Sequence, residues 1–140
     1  MPTRPAILAA DLRFIVGQLK RRLREQASPG DLSWAQIAVL GRLEREGPAT
    51  VTTLARAEGV RPQSMGATIA PLEQAGLITG TPDLADGRQT ILSLTPAARD
   101  IVQSNRANIE HWLARAIEIH LSEAEQSQLE STLILLKRLL

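Results

Sequence analysis

Hydrophobic residues recur every three or four positions along most of the chain, the spacing that gathers them on one face of an α-helix. Residues 7–27 show this spacing first, with apolar positions running from Leu8 to Leu23. The segment from Ser28 to Asp31 contains Pro and Gly and predicts the end of this helix. Five further helices are predicted, each beginning at a capping residue or a proline: Ser33, Thr50, Pro62, Thr95 and Ser122.

Two short extended segments, Leu77–Thr79 and Thr90–Leu94, interrupt the helical spacing. The polar residues between them, from Asp83 to Arg88, predict the tip of a β-hairpin. Further upstream, Gly59 predicts a tight turn between the third and fourth helices. The order helix, tight turn, helix, hairpin is that of a winged helix-turn-helix. We therefore predict a mainly α fold with a small β-wing.

Composition excludes several classes of protein. The 140 residues predict a single domain, and the absence of cysteine excludes disulfides and thiolate metal sites. The longest apolar run is the five residues from Ala6 to Ala10, too short for a membrane span or a signal peptide, so we expect a cytoplasmic protein without a membrane partner. No catalytic motif is present, and His111 and His120 are predicted on opposite sides of one helix. We expect no enzymatic activity, no cofactor and no bound metal.

The helix-turn-helix and the hairpin carry motifs typical of one family. These are Leu54-Ala55, the segment from Gly59 to Met65, the segment from Leu72 to Ile78, the wing residues Asp83, Asp86, Gly87 and Arg88, and Leu92-Ser93-Leu94-Thr95. With them the chain resembles the MarR family of transcriptional regulators over nearly its full length. The Asp-x-Arg wing, followed by Ser-Leu-Thr at the start of the next helix, is the most specific part of the resemblance.

The resemblance implies a homodimeric, sequence-specific DNA-binding regulator, usually a repressor that small aromatic or anionic ligands release. It also implies that residues 33–95 form the DNA-binding part and that residues 1–27 and 96–140 form a helical dimerisation part. The apolar stripes at the two ends of the chain agree with this, because a second copy of the chain would cover them. The expected partners are double-stranded DNA with a pseudo-palindromic operator, a second copy, and a small effector.

Helix geometry selects the residues that would read DNA. Met65, Ile69 and Leu72 form the buried face of the fourth helix, so Gln63 lies on the opposite face, with Ser64 beside it. Gln63 and Ser64 are the expected base readers, Arg61 and Thr68 the phosphate contacts, and Ala67 a contact to a thymine methyl group. In the wing, Arg88 would enter the minor groove while Asp86 holds it by a bidentate pair. The predicted DNA-binding set is Arg61, Gln63, Ser64, Ala67, Thr68, Asp86 and Arg88.

Three points have competing interpretations. Arg13, Phe14 and Trp34 could bind an effector, although isolated aromatic residues are more often part of the core. The basic segment Lys20–Arg24 could contact phosphates or form a solvated helix face. Residues 56–88 contain three Arg against four acidic residues, and the basic residues that the family often carries are missing at Ala67, Pro71 and Gly80. The alternative function is therefore a winged-helix dimer that acts through protein contacts and binds DNA weakly or not at all.

Overall fold

The computed structural model describes residues 1–27 and 30–140, and the predicted turn at Ser28 and Pro29 lies outside these residues. It confirms a mainly helical fold with one small antiparallel sheet. The elements in chain order are α1 (Arg4–Gln26), α2 (Trp34–Glu46), α3 (Val51–Glu58), α4 (Pro62–Gln74), β1 (Ile78–Pro82), β2 (Thr90–Leu94), α5 (Pro96–His120) and α6 (Glu123–Lys137). No helix within the described ranges is long and apolar enough to cross a membrane.

Hydroxyl side chains start most of the helices. The Oγ atom of each capping residue accepts a backbone N–H of the first turn, which satisfies a donor that the helix itself leaves without a partner. The capping residues predicted at Ser33 and Ser122 are confirmed, and each forms a capping box, because Gln36 and Glu125 accept the N–H of their own capping residue in return. The hydroxyl-capped helices are those preceded by Thr3, Ser33, Thr50, Thr95 and Ser122.

The turn between α3 and α4 is built around Gly59, which adopts the left-handed conformation (φ 68°) that a side chain would disfavour. The N–H of Val60 donates to the carbonyl of Ala55 (2.9 Å), and the N–H of Gly59 donates to that of Arg56 (3.3 Å). These two bonds form a Schellman motif, which ends α3 and starts the chain toward α4 within three residues. The predicted helix-turn-helix is thus confirmed.

The wing is longer than the sequence pattern predicted. Strand β1 extends to Pro82 rather than ending at Thr79, with Ile78 paired to Leu94 at its start. Ala49, just before α3, adds an isolated bridge to Leu92, with N···O distances of 3.1 and 2.8 Å. The hairpin is therefore connected to the helix-turn-helix twice: by the chain that runs from α4 into β1, and by this bridge to the residue before α3.

One hydrophobic core joins α2, α3, α4, the wing and the first turns of α5. Its fully buried side chains are Val39, Leu40, Leu54, Ile69, Leu72 and Leu92. Val60, in the turn between α3 and α4, is not part of this core: it is 44% exposed and lines a groove together with Met65 and Thr68. The Thr95 hydroxyl donates to the carbonyl of Gly76 (2.8 Å) and accepts the N–H of Ala98 (3.3 Å), which fastens α5 to the end of α4.

Helices α1 and α6 contribute no buried residue to this core among the described positions. Their large apolar side chains are exposed instead, which is costly in water unless another surface covers them. On α1 and around α6 these are Ile7, Leu8, Phe14, Ile15, Val16, Leu19, Leu133, Ile134, Leu135 and Leu139.

Candidate nucleic-acid interface

Helix α4 presents the polar face that its sequence predicted. Met65, Ile69 and Leu72 are buried against α2 and α3. Gln63 and Ser64, in the first turn of α4, are exposed. An exposed amide and hydroxyl in the first turn of the second helix of a helix-turn-helix is the arrangement that reaches base edges in the major groove.

The N-terminus of α4 differs from those of the other helices. Arg61 occupies the capping position but makes no side-chain capping bond within the described chain, and Pro62 has no N–H to satisfy. The backbone N–H groups of Gln63 and Ser64 are thus without the hydroxyl cap that the other helices have. Partial positive charge at this end, beside the exposed Arg61 guanidinium, favours a phosphate group.

Thr68 and Ala67 occupy different surroundings on α4. Ala67 is exposed on the same side as Gln63, where a methyl group can contact a base. Thr68 is half-buried, and its hydroxyl donates to the carbonyl of Ser64 at 3.2 Å. The hydroxyl proton is engaged in this bond, so Thr68 can donate to a phosphate only when its bond to Ser64 is broken.

Hydrogen bonds within the chain organise the wing tip. The N–H of Asp83 donates to the carbonyl of Gln89 (2.9 Å), and Oδ1 of Asp83 accepts the N–H of Ala85 (2.9 Å). Oδ1 of Asp86 accepts the N–H of Arg88 (3.1 Å). These bonds shape the loop that carries Arg88 at the tip of the hairpin.

The predicted bidentate pair between Asp86 and Arg88 is wrong for this geometry. One guanidinium nitrogen, Nε, lies 3.8 Å from one carboxylate oxygen, and the Arg88 side chain is 96% exposed. Asp86 therefore acts mainly on the backbone of the loop, because its oxygen already accepts the N–H of Arg88. The guanidinium of Arg88 extends into solvent, where a DNA groove can receive it.

An ion pair brings a basic residue of α2 to the end of α3. Nε of Arg42, on α2, donates to Oε1 of Glu58 at 2.8 Å, and Nη1 donates to Oε1 of Glu46 at 2.8 Å. The sequence count set three Arg against four acids in residues 56–88 but could not include Arg42. Arg42 thus compensates the charge of Glu58 from α2, but it shares its own charge with Glu46, so one Arg faces two Glu and the net charge of the region is unchanged.

The structure shows what surrounds Gly80 and Pro71, two of the positions where the basic residues typical of the family are missing. A Cβ atom on Gly80 would lie 2.7 Å from Cγ2 of Thr90, so a basic side chain at this position would displace Thr90. Helix α4 continues past Pro71 to Gln74, so the proline does not end the helix. It does remove the N–H that would bond to the carbonyl of Ala67, which weakens the middle of α4.

A cavity of about 410 Å³ lies between α2 and α5 and reaches the end of α3. Trp34, one of the predicted effector contacts, lines it, whereas Arg13 and Phe14 do not and are exposed on α1. Asn105 also lines the cavity, although nothing in the sequence pattern points to it. It is only 7% exposed, and its Oδ1 atom has no partner among the described residues. An unsatisfied buried carbonyl calls for a donor from water or a ligand.

Two arginines of the basic segment of α1 stack on tryptophans, rather than only contacting phosphates or facing solvent. The guanidinium carbon of Arg22 lies 5.5 Å from the ring centre of Trp112, and the guanidinium carbon of Arg24 lies 4.8 Å from the ring centre of Trp34.

His111 and His120 were expected on opposite sides of α5. Both nevertheless line one shallow cavity beside Trp112. No cluster of three His, Asp or Glu with metal-binding geometry occurs in the described chain.

Comparisons with known proteins agree with this architecture. The sequence model of the MarR family matches residues 32–90, which span the helix-turn-helix and most of the wing. An HTH-type transcriptional regulator of Mycobacterium bovis is 35% identical over 126 residues, covering 90% of this chain and 87% of the relative. The crystal structure of a transcriptional regulator from Pseudomonas aeruginosa PA01 is 37% identical with a TM-score of 0.86, over 99% of this chain and 96% of that chain.

A more distant solved structure shares the fold. A mutant of MepR from S. aureus, bound to an oligodeoxyribonucleotide, is 22% identical with a TM-score of 0.69, over 95% of this chain and 98% of that chain. At this identity the likeness concerns the fold alone. The family match over the helix-turn-helix, together with the nearly full-length relatives, gives the identity of the chain: it belongs to the MarR family of DNA-binding transcriptional regulators.

Proposed function

We propose that the protein is a ligand-responsive repressor that binds a pseudo-palindromic operator as a homodimer. In this proposal residues 33–95 contact DNA, while residues 1–27 and 96–140 form the dimer. Gln63 and Ser64 read bases in the major groove, Ala67 contacts a thymine methyl group, and Arg61 and Thr68 contact phosphates. Arg88 enters the adjacent minor groove from a loop that Asp86 shapes.

The observation that carries the proposal is the exposure of two separate groups of residues on one winged-helix frame. The first turn of α4 presents Gln63 and Ser64 beside Arg61, and the wing tip presents Arg88 with its side chain almost fully in solvent. These groups belong to the two elements that a winged helix-turn-helix places in neighbouring grooves.

The proposed homodimer is supported by the exposed apolar side chains of α1 and α6. Phe14 and Leu133 are 62% and 48% exposed in the protomer, and both belong to longer apolar surfaces. A two-fold partner would cover the same surfaces on both copies with one interface. Dimerisation would also present two copies of α4, so that the operator needs two inverted half-sites.

The ligand response is supported by the cavity between α2 and α5. Trp34 supplies an aromatic wall, and Asn105 supplies a buried carbonyl oxygen without a partner. Arg42 and Glu58 line the same cavity, and Glu58 is the last residue before the turn into α4. An effector in this cavity would therefore contact the segment that positions the DNA-reading helix.

Selection of bound sequences from random double-stranded DNA at low salt, followed by footprinting, tests the DNA-binding function. We expect enrichment of a palindrome and protection of both half-sites. If no sequence is enriched and no site is protected, the alternative holds, in which the dimer acts through protein contacts.

The effector proposal is tested separately on the selected DNA. Salicylate, as a probe aromatic acid, should release the protein from DNA, and Trp34→Ala should reduce this response without lowering DNA affinity in its absence. If neither salicylate nor a panel of neutral and cationic aromatic compounds changes DNA affinity, ligand control through this cavity is contradicted.

A further inference from the structure

Glu58 is an acidic residue close in sequence to the end of α4 that is proposed to bind DNA phosphates. It ends α3 and precedes the capping residue of α4, Arg61, by three positions. Phosphates of bound DNA would gather around Arg61 and the N-terminus of α4. A free carboxylate beside them would repel these phosphates and lower affinity at low salt.

Arg42 compensates this carboxylate from another helix. Its Nε donates to Oε1 of Glu58 at 2.8 Å, and the two side chains are only 23% and 26% exposed. The hydrogen bond to Glu58, and next that to Glu46, raises the pKa of Arg42 above its ordinary value. Like any arginine, it keeps its charge throughout the physiological pH range.

We propose that Arg42 raises the DNA affinity of this protein without touching DNA, by compensating the charge of Glu58, three residues before the capping position of α4. The inference rests on the proposed binding of DNA by α4. Its effect is electrostatic: when the pair opens, the charge of Glu58 acts on the phosphates, and no DNA-contacting residue needs to change. Arg42 therefore acts on DNA binding only through Glu58, whose charge it compensates.

The test measures the affinity for the selected DNA of wild type, Arg42→Met, Glu58→Gln and the double variant, at low and high salt. Arg42→Met should weaken binding by about three- to tenfold at low salt, and by less at high salt, because ions screen the exposed carboxylate. Glu58→Gln should bind at least as tightly as wild type. The double variant should regain wild-type affinity, and Arg42→Lys should keep most of it.

The matched control is Arg106→Met. Arg106 forms an ion pair with Glu44 that joins α5 to α2, so this variant removes the same charge and a similar interaction but leaves Glu58 compensated. Its affinity should equal that of wild type.

Three results would overturn the proposal: an Arg42→Met variant that binds normally, a loss that is equal at all salt concentrations, or a double variant as weak as Arg42→Met. The last two would assign Arg42 a purely mechanical role. If Arg42→Met does not fold, Arg42→Gln takes its place in the same comparison. Failure of the wild type itself to bind selected DNA would contradict the proposed function instead, so the two failures are distinguishable.

Discussion

Arg24 lies over the indole ring of Trp34, with its guanidinium carbon 4.8 Å from the ring centre. The contact joins the last turn of α1 to the first residue of α2. It therefore connects the proposed dimerisation part to the proposed DNA-binding part.

Arg24→Ala should lower the free energy of unfolding by about 0.5–1 kcal/mol, the usual contribution of an exposed cation–π contact. Denaturant unfolding followed by tryptophan fluorescence measures this. Arg21→Ala removes the same charge from the same helix without an aromatic contact in the described structure, and it should change stability less. Equal effects of the two variants would show that the stacking contributes nothing.

Truncation after Leu121 removes α6 and with it Leu129, Leu133 and Leu136. We expect loss of the dimer, because these side chains belong to the surface that the partner is proposed to cover. Sedimentation measures the oligomeric state. A truncated chain that remains a stable dimer would contradict the proposed dimerisation part.

A point variant tests the same interface in case the truncated chain does not fold. Leu133→Asp places a charge on an apolar side chain that the protomer leaves 48% exposed, so the protomer itself should tolerate it. It should raise the dimer dissociation constant strongly. Ser131→Asp adds the same charge to the same helix and should leave the dimer largely intact.

Arg88→Ala and Gln63→Ala should affect DNA binding in different ways. Loss of Arg88 should weaken binding to all sequences by about 1–3 kcal/mol, because a minor-groove guanidinium contributes affinity more than base discrimination. Loss of Gln63 should relax the preference at one base position in each half-site. Affinities for a set of operator variants separate the two patterns. The same uniform loss in both variants would remove Gln63 from the base readers.

The operator and its salt response follow from symmetry and charge. The centres of the two half-sites should be about 10–10.5 base pairs apart, the spacing of successive major grooves on one face of DNA. If about three cations per subunit contact phosphates, the dimer neutralises about six charges, and log K should fall with log salt with a slope near −5. Binding constants at several salt concentrations measure the slope. A slope near zero would contradict phosphate binding.

The capping box of α6 should give stability a defined pH dependence. The N–H of Ser122 donates to the Glu125 carboxylate (2.9 Å), and this backbone bond is the main reason that the pKa of Glu125 lies below its ordinary value. A lowered pKa in the folded state means that the stabilisation is complete above the unfolded pKa and disappears as pH falls through the folded value.

The advantage of wild type over Glu125→Gln in unfolding midpoint should therefore shrink as the pH is lowered below about 4.5, since the carboxyl group becomes neutral. Glu130→Gln, on the same helix but away from its cap, is the matched control. A difference between wild type and Glu125→Gln that stays constant with pH would contradict the capping explanation.

Local patterns predicted most of the helices because their determinants are local. Ser33 and Ser122 with the residues three positions later form capping boxes, and Gly59 needs only its own conformation to end α3. Strand β1 was predicted too short because Gly80 and Pro82 are poor strand residues, whereas pairing with β2 carries the strand through both.

The contacts that distinguish the site are not local in sequence. Arg42 and Glu58 are 16 positions apart on different helices, so no helical spacing could reveal their pairing. The same applies to Arg24 and Trp34, which meet because two helices are brought together. Asn105 reads as an ordinary polar position in α5, and only the packing of α2 against it shows that its carbonyl is buried.

The Thr95 hydroxyl bonds to Gly76 just after α4 and to Ala98 at the start of α5. Because these bonds fasten α4 to α5, a tilt of α5 would move α4 with it. With 25 residues, α5 is about 37 Å long at 1.5 Å per residue. A rotation of about 5° at its far end would move the DNA-reading end by about 3 Å, close to the 3.4 Å rise of one base pair. In the proposed dimer, a tilt of this size would shift one α4 by a base pair relative to the other, so small angular changes could decide whether both half-sites are engaged.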